Sequence, residues 1–197
     1  MEKYLRLFLG IGMPSQAKIL LSNIDKAFSK SDIPHLKPIR SENLHITLKY
    51  LGNTNSQLIE KVITATKKVL VISTPFNLEI GQPKKFPKSR NPRIIYADIN
   101  GDLKELKTLQ YRLDQTLLDL GYPLDKREYN PHLTLARLKT KRLSSVDLGE
   151  LLDSLSNQLK NKIKIEIREI SLFESTLQPQ GSIYNSIVSI KFGPITK

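Results

Sequence analysis

Two nearly identical strings dominate this sequence: His45-Ile46-Thr47-Leu48-Lys49-Tyr50 and His132-Leu133-Thr134-Leu135-Ala136-Arg137. Each reads as a strand, in which residues i and i+2 share a face. His45 and Thr47 therefore point one way and Ile46 and Leu48 the other. His132 and Thr134 stand likewise against Leu133 and Leu135. The strings also occupy equivalent points of a longer pattern. His45 lies thirty residues after Ser15, where Ala17, Leu20, Leu21, Ile24 and Phe28 mark a helical period. His132 lies thirty residues after Asp102, where Leu103, Leu106, Leu113 and Leu117 mark another. A second helix follows each string, and a hairpin begins thirty-one residues after each histidine, near Phe76 and Ile163. A chain that repeats helix, histidine strand, helix and hairpin is constrained to two lobes of similar build. The repeats fall at about 14–99 and 102–190.

The remaining segments fit an α+β chain. Residues 5–11 alternate as a strand, and residues 29–42, with Pro34 and Pro38, read as a polar loop. The first histidine strand covers residues 43–51 and is closed by Gly52-Asn53. A helix over 55–71 carries Leu58, Val62, Ala65 and Val69 on one face. Strands at 76–80 and 93–99 flank a basic, Pro-punctuated loop, and Gly121 is placed to end the helix over 102–120. Ser144-Ser145-Val146-Asp147 has the form of a capping box ahead of Leu148, Leu151, Leu152, Leu155 and Leu159. Two strands close the chain. In the first, 162–168, isoleucines alternate with charges as on a half-buried strand.

Charge and composition narrow the partners. Lys and Arg number 31 against 19 Asp and Glu, a net +12 that favours an anionic partner, RNA or nucleotides ahead of acidic lipid. With no cysteine there are no disulfides, thiolate zinc sites, Fe–S clusters or cysteine nucleophile, which fits a reducing compartment. No apolar run approaches the roughly 18–20 residues of a membrane span. Arg6 interrupts the apolar start, and no small-residue cleavage site follows it. The expectation is a cytoplasmic monomer, a single domain over residues 1–197 built from two interleaved lobes, with no membrane association.

Should the two lobes face each other, two imidazoles and two hydroxyls meet in one cleft. Imidazole gives or takes a proton near neutral pH, so a pair can serve as acid and base on opposite sides of one atom. Thr hydroxyls and a basic surround suit an anionic phosphate oxygen. The implied chemistry is metal-free phosphodiester cleavage by in-line displacement, with no cofactor. Zinc is the rival use of two histidines, but no neighbouring carboxylate completes a ligand set, and His35 lies in a loop. A single His-x-Thr is usually a packing element; two at matched positions are not explained that way.

The strings resemble the paired His-x-Thr motifs of the 2H phosphoesterase superfamily, and within it the RNA 2′,3′-cyclic phosphodiesterases of the LigT-like, or 2′-5′ RNA ligase, family. The resemblance extends along the chain. Arg6-Leu7-Phe8-Leu9-Gly10-Ile11 is similar to the family's first strand, and Glu42-Asn43-Leu44-His45-Ile46-Thr47-Leu48-Lys49-Tyr50-Leu51-Gly52 to its first signature. Asn91-Pro92-Arg93-Ile94-Ile95-Tyr96-Ala97 resembles the entry to its fourth strand. Pro131-His132-Leu133-Thr134-Leu135-Ala136-Arg137 resembles its second signature, and Glu174-Ser175-Thr176-Leu177-Gln178-Pro179-Gln180-Gly181-Ser182-Ile183-Tyr184 its closing segment. Residues 36–41 lack the Trp of many relatives, and Tyr50 replaces the commoner Phe.

The resemblance implies a bilobal α+β fold, each lobe an antiparallel sheet with helices outside and a central cleft between. It implies His45 and His132 as the catalytic pair and Thr47 and Thr134 as phosphate holders. The substrate would be RNA with a 2′,3′-cyclic phosphate end, opened to a 2′-phosphate, with weak reverse 2′-5′ ligation. We assign His45 to the acid and His132 to the base, although the likeness of the two motifs leaves that polarity open. Arg137, five positions after His132, falls on the opposite face by strict alternation and reaches phosphate only where the strand ends or bulges. Tyr50, at the same odd offset from His45, serves either base stacking or packing. Lys84, Lys85, Lys88, Arg90 and Arg93, with Phe86, form a candidate RNA-backbone contact, as do Arg137, Lys139, Lys141 and Arg142. Lys162, Lys164 and Arg168 read as a solvated strand face. The alternatives are a 2′-5′ oligonucleotide or cyclic-nucleotide phosphodiesterase and a non-catalytic RNA-binding module.

Overall fold

Alternating apolar residues build one long antiparallel sheet, and helical stripes of leucine cover its core face. The computed structural model describes residues 2–31, 33–89, 91–139, 145–160, 163–178 and 181–193. In chain order the elements are β1 (Tyr4–Gly12), α1 (Ser15–Ser29), β2 (Leu36–Pro38), β3 (His45–Asn55), α2 (Ile59–Val71), β4 (Phe76–Phe86), β5 (Ile94–Gly101), α3 (Leu103–Leu118), β6 (His132–Leu138), α4 (Ser145–Gln158), β7 (Ile163–Ile167), β8 (Glu169–Gln178) and β9 (Gly181–Lys191). The sheet runs β7-β4-β5-β6-β3-β1-β8-β9, with β2 on β6.

The middle of that order sets the architecture. β3 and β6 meet through one register pair, Ile46 with Leu133, so the sheet has two halves joined where the histidine strands touch. One half holds β6 with β5, β4 and β7; the other holds β3 with β1, β8 and β9. The hairpin that follows β3 in sequence thus pairs with β6, and the C-terminal hairpin pairs with β1. The helices mirror this exchange, α1 packing on α4 and α2 on α3. On α3 the stripe Leu106, Leu109, Leu113 and Leu117 is buried, and on β7 so are Ile163, Ile165 and Ile167. Gly121 has a positive φ of 89° and donates its N–H to the Leu118 carbonyl at 2.9 Å, ending α3 as expected.

Several boundaries differ from the sequence reading. The loop expected over 29–42 contains β2, because Leu36, Lys37 and Pro38 pair with Leu138, Arg137 and Ala136. His35 is exposed in the turn before β2, where its carbonyl accepts from the Lys139 N–H at 3.4 Å. β3 does not stop at Gly52; that glycine, at φ 72°, absorbs a bulge opposite Leu7 and Phe8, and the strand continues to Asn55. Three strands rather than two close the chain: the one starting at Ile163, β7, joins β4 instead of opening a hairpin, and the closing hairpin is β8–β9. The α2 face is turned by a position: Val62, Ile63, Thr66, Val69 and Leu70 are buried. The Ser144 cap lies outside the described residues. Among the described residues no helix is long and apolar enough to cross a membrane.

Lys49 gives this core one polar anchor. It is 6% exposed, yet its ammonium is ion-paired to Asp114 of α3 and donates to the Pro123 carbonyl at 2.5 Å. Asp114 in turn accepts from the Asp125 N–H at 3.2 Å. β3, α3 and the segment leading into β6 are thereby tied at one buried point.

Candidate active site

Backbone carbonyls two residues upstream orient both histidines. His45 Nδ1 lies 2.6 Å from the Asn43 carbonyl oxygen, and His132 Nδ1 lies 3.0 Å from that of Asn130. A carbonyl only accepts, so each Nδ1 carries the proton and each Nε2 is left to exchange one with a ligand. The register pair Ile46–Leu133 sets His45 across from Thr134 and Thr47 across from His132. The imidazoles then occupy diagonal positions, on the order of 7–8 Å apart at the backbone. His45, Thr47, His132 and Thr134 are all half-buried, while Ile46, Leu48, Leu133 and Leu135 face the core.

Each histidine strand then bulges at the same motif position. Leu9 and Gly10 pair with Lys49 and Thr47, leaving Leu48 extra on β3; Ile95 and Tyr96 pair with Ala136 and Thr134, leaving Leu135 extra on β6. A bulge inserts one residue and shifts the alternation downstream. Lys49 and Ala136 consequently turn to the core, and Tyr50 and Arg137, five residues after each histidine, turn out. Strict alternation had set both on the wrong face. His45, Thr47, Tyr50 and Arg137 line one cavity of about 450 Å³ with Arg6, Phe8, Ser175, Ser182 and Tyr184. His132 opens on a neighbouring cavity of about 490 Å³ that shares Thr47 and Tyr50 and adds Phe86, Tyr96, Gln110 and Tyr129. Thr134 lines neither; it sits between Tyr96 on β5 and His45 on β3. Tyr50 is exposed, with the Arg6 guanidinium 5.3 Å from its ring centre.

The two imidazoles have unlike surroundings. Phe8 and Tyr184 stand 4.7 Å and 4.9 Å from the His45 ring and Phe173 stands 6.1 Å away, whereas His132 meets Tyr96 edge-on at 5.6 Å. Burial in this aromatic box holds the His45 pKa below the ordinary 6.5. The carbonyl of Asn43 opposes that shift, and the positive charges of His132 and Arg137 add to it. Free His45 therefore keeps its proton only below that lowered value and is mostly neutral at pH 7. A bound anion acts in the opposite sense. NMR titration of the His45 ring should give an apparent pKa under 6.5 in the free protein, rising when inorganic phosphate is added; a free value at or above 6.5 would contradict the desolvated setting.

Four supporting groups escaped the sequence reading. Asn43 is buried; its side chain donates to the Ser182 carbonyl at 2.9 Å and accepts from the Tyr184 N–H at 3.1 Å, so one residue holds both His45 and β9. Tyr129 donates its hydroxyl to the Thr47 carbonyl at 3.0 Å. Tyr184 and Tyr96 pack on the histidines from strands remote in sequence. One signal was present: both strings are Asn-x-His-x-Thr, since Asn130 precedes His132 as Asn43 precedes His45. The basic stretch also changes character. Lys84, Lys85 and Phe86 belong to β4, and Lys84 is paired with Asp98 at 2.6 Å, so its charge is already compensated. Arg90, Lys141, Arg142 and Lys162 lie outside the described residues. Lys164 and Arg168 pair with Glu79 and Glu166 on the strand surface. Among the described residues, no three His, Asp or Glu side chains are grouped to hold a metal ion.

Known proteins resemble this chain in sequence and in fold. RNA 2′,3′-cyclic phosphodiesterases of Methanocaldococcus jannaschii and Aeropyrum pernix are 29% and 26% identical, the matches covering 93% and 87% of this chain and 98% and 94% of theirs. A solved structure from Thermus thermophilus superposes with a TM-score of 0.76 at 19% identity, covering 95% of this chain and 98% of that one. E. coli LigT complexed with 3′-AMP superposes with a TM-score of 0.73 at 17% identity, covering 96% and 99%. Both show the same fold. The family model described as the 2′-5′ RNA ligase superfamily matches residues 24–178, both histidine strings included. The chain belongs to the 2′-5′ RNA ligase superfamily.

Proposed function

We propose that this protein hydrolyses RNA 2′,3′-cyclic phosphate ends to 2′-phosphates by acid–base catalysis between His45 and His132, without a metal. The observation that carries the reading is the matched pair of imidazoles, each with Nδ1 committed to a carbonyl and Nε2 left for a reacting atom. The names of the relatives support the substrate class. In this reading the phosphate lies between the rings, Thr47 and Thr134 donate to its oxygens, and Arg137 offsets its charge. His132 Nε2 takes a proton from water as the water oxygen bonds phosphorus. The P–O3′ bond breaks as His45 gives its Nε2 proton to O3′.

The environments fit this polarity. His45 is held close to neutral when free, and the arriving phosphate supplies the negative charge that draws a proton onto it. A proton held in a desolvated box is readily released to an alkoxide. His132 lines the neighbouring cavity, from which the attacking water would reach its Nε2. The same groups run the reverse, joining a 5′-hydroxyl to the cyclic phosphate, as a weak activity. A cytoplasmic location and a monomeric state belong to the same proposal, and analytical ultracentrifugation reads the second directly.

The test uses a short RNA ending in a 2′,3′-cyclic phosphate, incubated with the protein in EDTA. The expected product is a 2′-phosphate. A 3′-phosphate would reverse the leaving oxygen, and dependence on added divalent metal would end the metal-free mechanism.

A further inference from the structure

Beside the catalytic cavities lies a groove of about 300 Å³ with a strongly basic wall. Lys37, Arg40, Arg137 and Lys139 line it, opposite Gln178 and Ser182 of the C-terminal hairpin. Arg137, Ser182 and Tyr184 line both this groove and the cavity of His45, so the two are continuous. The sheet assembles the cations by register: β2 pairs with β6 so that Lys37 stands directly across from Arg137. Like charges set opposite each other on a sheet destabilise it. Neither Lys37, Arg137 nor Lys139 has a carboxylate within ion-pair distance among the described residues, and Arg40 has only Glu42 at 4.0 Å. Lys84, by contrast, is neutralised by Asp98. Uncompensated charge concentrated in a groove marks a site for a polyanion.

We propose that this groove is the track for the RNA backbone upstream of the reacting end, its lysines and arginines contacting the phosphates that lie 5′ of the terminal nucleotide. This rests on the proposed reaction for its direction. The terminal phosphate occupies the histidine cavity, and the chain leaves it past Arg137 toward Lys37, Arg40 and Lys139. Ile39, Ile183 and the exposed Leu177 give the ribose and base of the next nucleotide an apolar surface. The β4–β5 stretch, partly neutralised and on the His132 side, is not on this path.

Three substrates separate the contributions: a nucleoside 2′,3′-cyclic phosphate, the same with a 5′-phosphate, and a hexaribonucleotide with the cyclic end. The hexamer is expected to exceed the nucleoside in kcat/KM by tenfold or more. Lys37→Ala with Lys139→Ala should remove most of that advantage through KM, leave the nucleoside within twofold, and flatten the hexamer's log KM against log salt by about 0.7 per contact removed. Lys37→Arg should restore it. Equal losses on all three substrates, or none, would overturn the track. So would a 5′-phosphate that supplies the whole gain, which reduces the groove to a one-phosphate pocket. Fluorescence anisotropy with the hexamer bearing a 2′-phosphate end reads the groove without turnover. Weaker binding by the double variant upholds the track even if the wild type cleaves none of the three, and unchanged binding overturns it.

Discussion

His45→Ala and His132→Ala are each expected to lower kcat/KM on an RNA 2′,3′-cyclic phosphate by about 10²–10⁴-fold, the usual share of one positioned acid or base. Each ring also fixes local packing, so thermal unfolding of both variants should be recorded alongside. Because the two proton transfers belong to one displacement, the double variant should fall far short of the product of the single losses. An activated diester such as bis(p-nitrophenyl) phosphate separates the roles, since its leaving group departs without a proton. His45→Ala should lose much less on that substrate than on RNA, and His132→Ala should lose about as much on both. The opposite ranking would exchange the acid and the base. Full activity in both alanine variants would leave an RNA-binding module as the better reading.

Asp114→Ala is the substitution expected to cost the most stability. It strips the buried Lys49 ammonium of its only carboxylate among the described residues, leaving the Pro123 carbonyl as its partner. Breaking a buried pair on one side typically costs about 3–5 kcal/mol, which for a chain of this length lowers Tm by roughly 6–20 °C. Replacing both partners, Lys49→Met with Asp114→Leu, should recover most of the loss, because neither variant side chain demands solvation. Calorimetry of the three variants checks this. A single-variant loss under about 1 kcal/mol would mean that water reaches the ammonium. Activity should fall with stability in Asp114→Ala, since the segment released at Asp125 carries Tyr129 and Asn130, which hold Thr47 and His132.

How far the site was legible depended on the reach of each signal. His45, Thr47, His132 and Thr134 were read from two short strings because a strand's period of two needs no tertiary context. Tyr50 and Arg137 were named too, but their orientation was not legible, because the bulges at Leu48 and Leu135 arise from pairing with β1 and β5, and register is a property of the partner strand as much as of its own. The span over 36–38 read as loop for the same reason: three residues form a strand only because β6 is there to pair with them. Tyr184 and Phe173, which make the box around His45, come from a hairpin more than a hundred residues away.

By itself the sequence determined that two like histidine strands recur at matched spacing and that each sets its histidine and threonine on one face. These follow from local spacing, which covalent geometry fixes. The tertiary structure alone decided that the hairpins cross between the halves, that an aromatic box desolvates His45 while His132 meets Tyr96, and that Lys37 pairs with Arg137 on one wall of a groove. Motifs alike in sequence became unlike in environment because different strands pack against them, and desolvation and charge depend on what surrounds a side chain rather than on what precedes it.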